Sequence, residues 1–127
     1  MARYWGTPPE TMAALRAEFT FDFDACPHPR PEGFDGLVLP WGESTWVNPP
    51  FKGPMAVWVR KCALEGKRGL AVLAIPCFRE RAIQLADRLG AEIRFLGMIP
   101  WRDLDTGAVG EARPMVIAIW RRAKRRR

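Results

Sequence analysis

Leu70-Ala71-Val72-Leu73-Ala74-Ile75 is apolar throughout, with no polar alternation. A strand with one wet face alternates, so an unbroken run of this length predicts a central strand covered on both faces. The segments on either side supply the cover. Pro54 opens a helical pattern with Met55, Trp58, Val59 and Cys62 on one face, ended by Gly66. A second pattern, about 79–89, carries Ile83, Leu85, Ala86 and Leu89 and stops at Gly90. Upstream, Ser44 to Val47 reads as a strand; downstream, Glu92 to Leu96 and Met115 to Trp120 read as two more. Strands alternating with helices predict an α/β fold: a compact, mostly parallel sheet of about five strands with right-handed crossovers and flanking helices.

The chain begins with another helix, residues 8–18, for which Thr7 is the expected N-cap, Pro8 the first helical residue and Glu10 the partner in a capping box. Phe19-Thr20-Phe21-Asp22-Phe23-Asp24 then alternates at period two, the pattern of a strand ending in carboxylates. Residues 25–43 hold Pro27, Pro29, Pro31 and Pro40 with Gly33, Gly36 and Gly42, and predict an irregular connection. Residues 97–114 read as an exposed hairpin-type loop.

With 127 residues and 48% hydrophobic content the chain fits one domain, residues 1–120, followed by a basic tail. Of twenty Lys and Arg, six lie in the tail (Arg121, Arg122, Lys124, Arg125, Arg126 and Arg127), leaving fourteen against fourteen acids in the body. The net charge of +6 is therefore a property of the tail, which suits sequence-independent contact with phosphates; a solvated tail that keeps the protein soluble is the plainer alternative. Cys26, Cys62 and Cys77 are odd in number and have no CxxC spacing, so neither a disulfide framework nor a metal site is expected. Lacking a signal-like start and any apolar run near the length of a membrane span, the sequence predicts a soluble protein of a reducing compartment.

The chemistry concentrates in Trp46-Val47-Asn48-Pro49-Pro50-Phe51. Each proline fixes its own φ and drives the residue before it out of the helical region, so Asn48 is held extended at a strand end. Its amide, the Pro49 carbonyl and the Phe51 ring together suit a planar group bearing an NH2. Ligands of open α/β sheets bind beyond the carboxyl ends of strands, where Asp24 and Asn48 both fall. His28, alone in a proline-rich loop, reads as an ordinary surface residue.

Trp5-x-Thr7-Pro8, Phe21-Asp22-x-Asp24-Ala25-Cys26, Asp35-Gly36-Leu37-x-x-x-Trp41, Asn48-Pro49-Pro50-Phe51 and Trp58-Val59-x-Lys61-Cys62-Ala63, in that order, resemble the phage-type DNA N6-adenine methyltransferase family. The resemblance implies a Rossmann-like fold, S-adenosylmethionine as methyl donor, and double-stranded DNA with a flipped adenine as substrate, in the cytoplasm of a bacterium or a phage-infected host. It implies catalytic roles for Asn48, Pro49, Pro50 and Phe51, and cofactor contacts for Asp22, Asp24, Ala25, Cys26 and Asp35. Lys52 and the tail residues would meet DNA. Full-length domains of this class have a glycine-rich turn and two further strand-helix units before the catalytic motif. Here 23 residues separate Asp24 from Asn48. The expected fold is thus an abbreviated one whose cofactor half is short, with cofactor binding that is weak, completed by the second subunit of a homodimer, or lost in an inert nucleic-acid-binding descendant. A protein glutamine amide or guanine N2 is the alternative acceptor.

Overall fold

A computed structural model describes residues 5–51 and 53–122, and of Trp5 only the backbone. Its elements are β1 (Trp5–Gly6), α1 (Pro9–Glu18), β2 (Phe23–Asp24), β3 (Ser44–Val47), α2 (Met55–Gly66), β4 (Leu70–Pro76), α3 (Glu80–Arg88), β5 (Glu92–Asp103) and β6 (Val109–Arg121). The class is α/β, as expected. The strands form one six-stranded sheet in the order β1-β5-β6-β4-β3-β2.

The apolar run at Leu70 is central, as its composition requires. Ala71, Leu73 and Ile75 pack on one face with Met55, Val59 and Cys62 of α2 and Ala82 and Ala86 of α3. Val72 and Ala74 face the other way, into a cluster with Leu15, Phe19, Trp46, Ile117 and Ile119. Leu73 and its neighbours from Ala71 to Ile75 are fully buried, so both faces are used.

The expectation of a mostly parallel sheet is corrected. β2, β3 and β4 are parallel neighbours, but β4 with β6, β6 with β5 and β5 with β1 pair antiparallel. The reason is the short turn 104–108, which can join β5 and β6 only as a hairpin. β6 then inserts between β4 and β5, restoring β5 to the direction of β4. The count of five strands rises to six because Trp5–Gly6 pairs with Arg102 and Asp103.

The stretch 97–114 is likewise not a loop but the outer half of this hairpin, with β5 running on to Asp103 and β6 starting at Val109. Its breakers are accommodated as irregularities. Register shifts fall between Phe95 and Gly97 and between Pro100 and Arg102, and Gly97 takes φ +114°, a conformation few other residues tolerate. Pro114 lies just past Pro76, the last residue of β4, so its missing N–H costs no ladder bond to that strand.

Two further expectations change at the N-terminus. Only Phe23–Asp24 of the alternating run is strand, because Phe19 turns inward as the C-cap of α1 and is buried. Helix α1 follows Pro8 with no side-chain cap, leaving Thr7 for another partner. Residues 25–43 contain no helix or strand, as anticipated. Among the described residues no helix is long and apolar enough to cross a membrane.

Glu65 is a buried acid held by Lys61 Nζ at 2.8 Å and by the Arg68 guanidinium. Burial alone would raise its carboxyl, but the two cations outweigh that and hold it below its usual range. A depressed carboxylate stabilises the fold above its unfolded pKa and loses that contribution as pH falls through the folded value. Below the ordinary value of 4.5, wild type is therefore expected to lose stability more steeply than Glu65→Gln, measured as Tm against pH. Parallel acid limbs would refute the contribution.

Candidate active site at the carboxyl edge

Four strands, β2, β3, β4 and β5, point the same way, so their carboxyl ends share one edge. The edge is built up on one side. Past Pro76, the β5–β6 ribbon continues from the Gly97–Met115 pair to the Arg102–Val109 pair and stands above the end of β4 as a wall. The 25–43 connection rises opposite, and His28 Nε2 meets Asp105 Oδ1 of the hairpin turn at 3.0 Å. His28 is thus a bridge between the two walls rather than an ordinary surface residue.

Asn48 leaves β3 between these walls. Its Nδ2 donates at 3.5 Å to Thr7 Oγ1, the group freed by the missing helix cap, while its Oδ1 is occluded and has no partner among the described residues. Pro49 is buried and Pro50 exposed. The Phe51 ring meets Trp101 of β5 edge-on, with centroids 5.5 Å apart at 65°. It is a packed wall, not a free paddle. Lys52 lies outside the described residues.

Arg79 closes the underside. Standing at the N-cap of α3, it donates through Nη2 to the carbonyl of Phe51 and, at 2.6 Å, to that of Gly53. Asn48 Oδ1, Arg79 Nε and Trp101 Nε1 are all buried without partners among the described residues. Native interiors leave few such atoms; Ser44 Oγ, Thr45 Oγ1 and Arg102 Nε are the other three among the described residues, and of the six only those of Asn48, Arg79 and Trp101 belong to residues that form or touch the Asn48–Phe51 loop.

Asp24 ends β2. Its Oδ1 accepts from Cys26 N–H at 2.9 Å, and burial pushes the carboxyl above its ordinary value, offset in part by that N–H and by Arg16. The residue keeps an exposed edge on a cleft of about 210 Å³, lined also by Met12, Arg16, Asp22 and Trp46. Asp22 is half committed, since its Oδ1 accepts from Ser44 N–H at 3.2 Å. The Cys26 thiol is pushed up to about 12 by burial and by Asp24, against the pull of the Asn48 backbone N–H. It is therefore neutral at ordinary pH and no nucleophile.

Ala25 and Asp35 sit in architectural positions. Ala25 is buried, its N–H donating to Trp46 at 3.1 Å. Asp35 is exposed and caps its own turn, Oδ1 accepting from Leu37 N–H at 2.9 Å. Between them, Gly36 lies directly on the Ala25 carbonyl and receives Trp41 Nε1 on its own carbonyl at 2.7 Å. Lys61 sits over the Trp41 ring at 5.5 Å. The separate sequence motifs thus meet in space, and much of what links them is packing.

Arg121 and Arg122 fall elsewhere. Because β6 is antiparallel, Arg121 pairs with Leu70 at the opposite edge from Asn48, and Arg122 N–H bonds the Gly69 carbonyl. Lys124, Arg125, Arg126 and Arg127 lie outside the described residues. Sequence reasoning missed Arg79, Trp101 and Thr7 as parts of this site. A lone arginine at a strand-to-helix turn, a tryptophan among turn formers and a threonine before two prolines each have an ordinary local explanation, and no local signal separates the two.

A scan against protein-family models finds no match to this chain, and a search of curated proteins finds none either.

Proposed function

We propose that the protein is a DNA adenine-N6 methyltransferase of abbreviated Rossmann-like fold, using S-adenosylmethionine. The observation that carries the reading is the unpartnered Asn48 Oδ1 just past the end of β3, in a turn where the Pro49 carbonyl and the Phe51 ring follow directly along the chain. An exocyclic amine conjugated to an aromatic ring is a poor nucleophile. Two acceptors on its two hydrogens favour a more pyramidal nitrogen, and an aromatic neighbour orients the base. Asn48 and Pro49 hold the amine, Phe51 and Trp101 exclude water, and no covalent enzyme intermediate is needed.

S-adenosylmethionine would supply the electrophilic methyl group. The residues on the β2 side suit it: a carboxylate raised by burial at Asp24 is relieved by an ammonium group, and Asp22 adds a second acceptor on the same cleft. A second reading, an inert nucleic-acid-binding relic of the same fold, draws on the absence of any strand or helix between Asp24 and Ser44, where fuller domains of this class hold two strand-helix units.

The test is calorimetric titration with S-adenosylmethionine, followed by transfer of tritiated methyl to adenine-containing DNA. Label recovered as N6-methyladenine is expected. Cofactor binding with label entering protein amide or guanine instead would overturn the substrate, and no binding at all would favour the relic.

A further inference from the structure

The loop that carries the proposed chemistry is under-determined by its own sequence. Pro49 and Pro50 fix two φ angles and Pro50 also keeps Pro49 extended, but the ψ angle of Pro50 and both angles of Phe51 are free, and Gly53, held only by the Pro54 that follows it, has the widest choice of φ. Gly53 also has open space around it, so packing does not confine it. Something else must set the turn.

We infer that Arg79 is the positioning residue of this site, a cationic clamp that presets the Asn48–Phe51 loop in its working shape. The carbonyls it binds, Phe51 and Gly53, lie just past the Pro49-Pro50 pair, where those two rings no longer set the chain. Both bonds come from one nitrogen, so the two carbonyls must converge on it. The guanidinium has no carboxylate within ion-pair distance among the described residues, so its charge acts on the loop alone. Hydrogen bonds from a charged donor are stronger than neutral ones, and a planar fork holds direction where a lysine ammonium does not. Arg79 itself is anchored: its carbonyl accepts from Ile83 N–H at 3.1 Å in the first turn of α3, and its own N–H donates to Pro76 at 2.9 Å. The clamp thus ties the end of β3 to the end of β4 and orients Asn48 and Phe51 without touching the base.

This inference rests on the methyltransferase reading for its consequence, but its geometry is testable apart from it. Backbone order at Phe51 and Gly53, read as NMR order parameters, should fall by at least about 0.2 in Arg79→Ala and less in Arg79→Lys, with β4 unchanged. Methyl transfer by Arg79→Ala should fall in kcat more than in KM for S-adenosylmethionine, and added guanidinium at millimolar concentration should restore part of it. Loop order equal to wild type in a folded variant overturns the clamp. Equal kcat with lowered loop order overturns its positioning role. If wild type transfers no methyl group, the functional reading fails while the order parameters still decide the clamp; should Arg79→Ala not fold, Arg79→Lys carries the same comparison.

Discussion

On the proposed reaction, Asn48→Ala is expected to reduce methyl transfer by about 100- to 1,000-fold while leaving stability within about 0.5 kcal/mol of wild type, or slightly above it. The two halves come from one observation. Oδ1 is occluded and accepts no hydrogen bond from the described residues, and Nδ2 makes only a long contact to Thr7. Removing an acceptor that has no donor relieves a desolvation cost instead of breaking a bond. The same atom is the one that would hold a base amine, so its loss falls on the chemical step. Tritiated methyl transfer and urea unfolding, run side by side, check the prediction. A structural amide would give the reverse pattern, a marked loss of stability with activity following the folded fraction. Affinity for S-adenosylmethionine should stay near wild type, because the proposed cofactor contacts, Asp22 and Asp24, lie on the β2 side.

Gly36→Ala should destabilise the protein by about 2 to 3 kcal/mol, far more than its small size suggests. An added methyl would stand 1.9 Å from the Ala25 carbonyl oxygen and 3.4 Å from the Trp58 ring. The carbonyl belongs to backbone that cannot step aside, since Ala25 N–H is bonded to Trp46. The 25–43 connection would have to lift, taking with it the Trp41 indole that donates to Gly36. Gly33→Ala is the control. There the added methyl meets nothing, and only the positive φ of 74° opposes it, a cost of about 1 kcal/mol. Denaturant unfolding of both variants separates the two effects. Equal stability of Gly36→Ala and wild type would mean that the connection does not dock on Ala25, and the wall opposite the hairpin would lose its basis.

The parts of the fold legible beforehand share a physical cause. The unbroken apolar run at Leu70, the α2 periodicity ending at Gly66 and the short strand before Asn48 are local patterns, each settled by burial or by proline stereochemistry within a few residues. A hairpin-type connection is legible at 97–114, but the strands of its arms are hidden because Gly97, Pro100, Gly107, Gly110 and Pro114 are loop signals by composition. Bulges and the end of β4 absorb them, and neither is visible from nearby residues. The Phe19 to Asp24 alternation failed for the opposite reason: its period two survived while Phe19 packed under α1 and left only two residues for the sheet edge.

By itself the sequence determined that a central strand is buried on both faces, that helices flank it, and that Asn48 sits extended at a strand's end before a stiff turn. These follow from hydrophobic periodicity and from the fixed φ of proline, both properties of short segments. Only the tertiary structure decided that β6 runs backward between β4 and β5, raising Trp101 against Phe51 while sending Arg121 to the far edge. It also decided which polar atoms go unpaired at Asn48 and Trp101, and that Arg79 holds the turn. Pairing partners lie tens of residues apart along the chain, and a hydrogen bond exists only once both ends are in place.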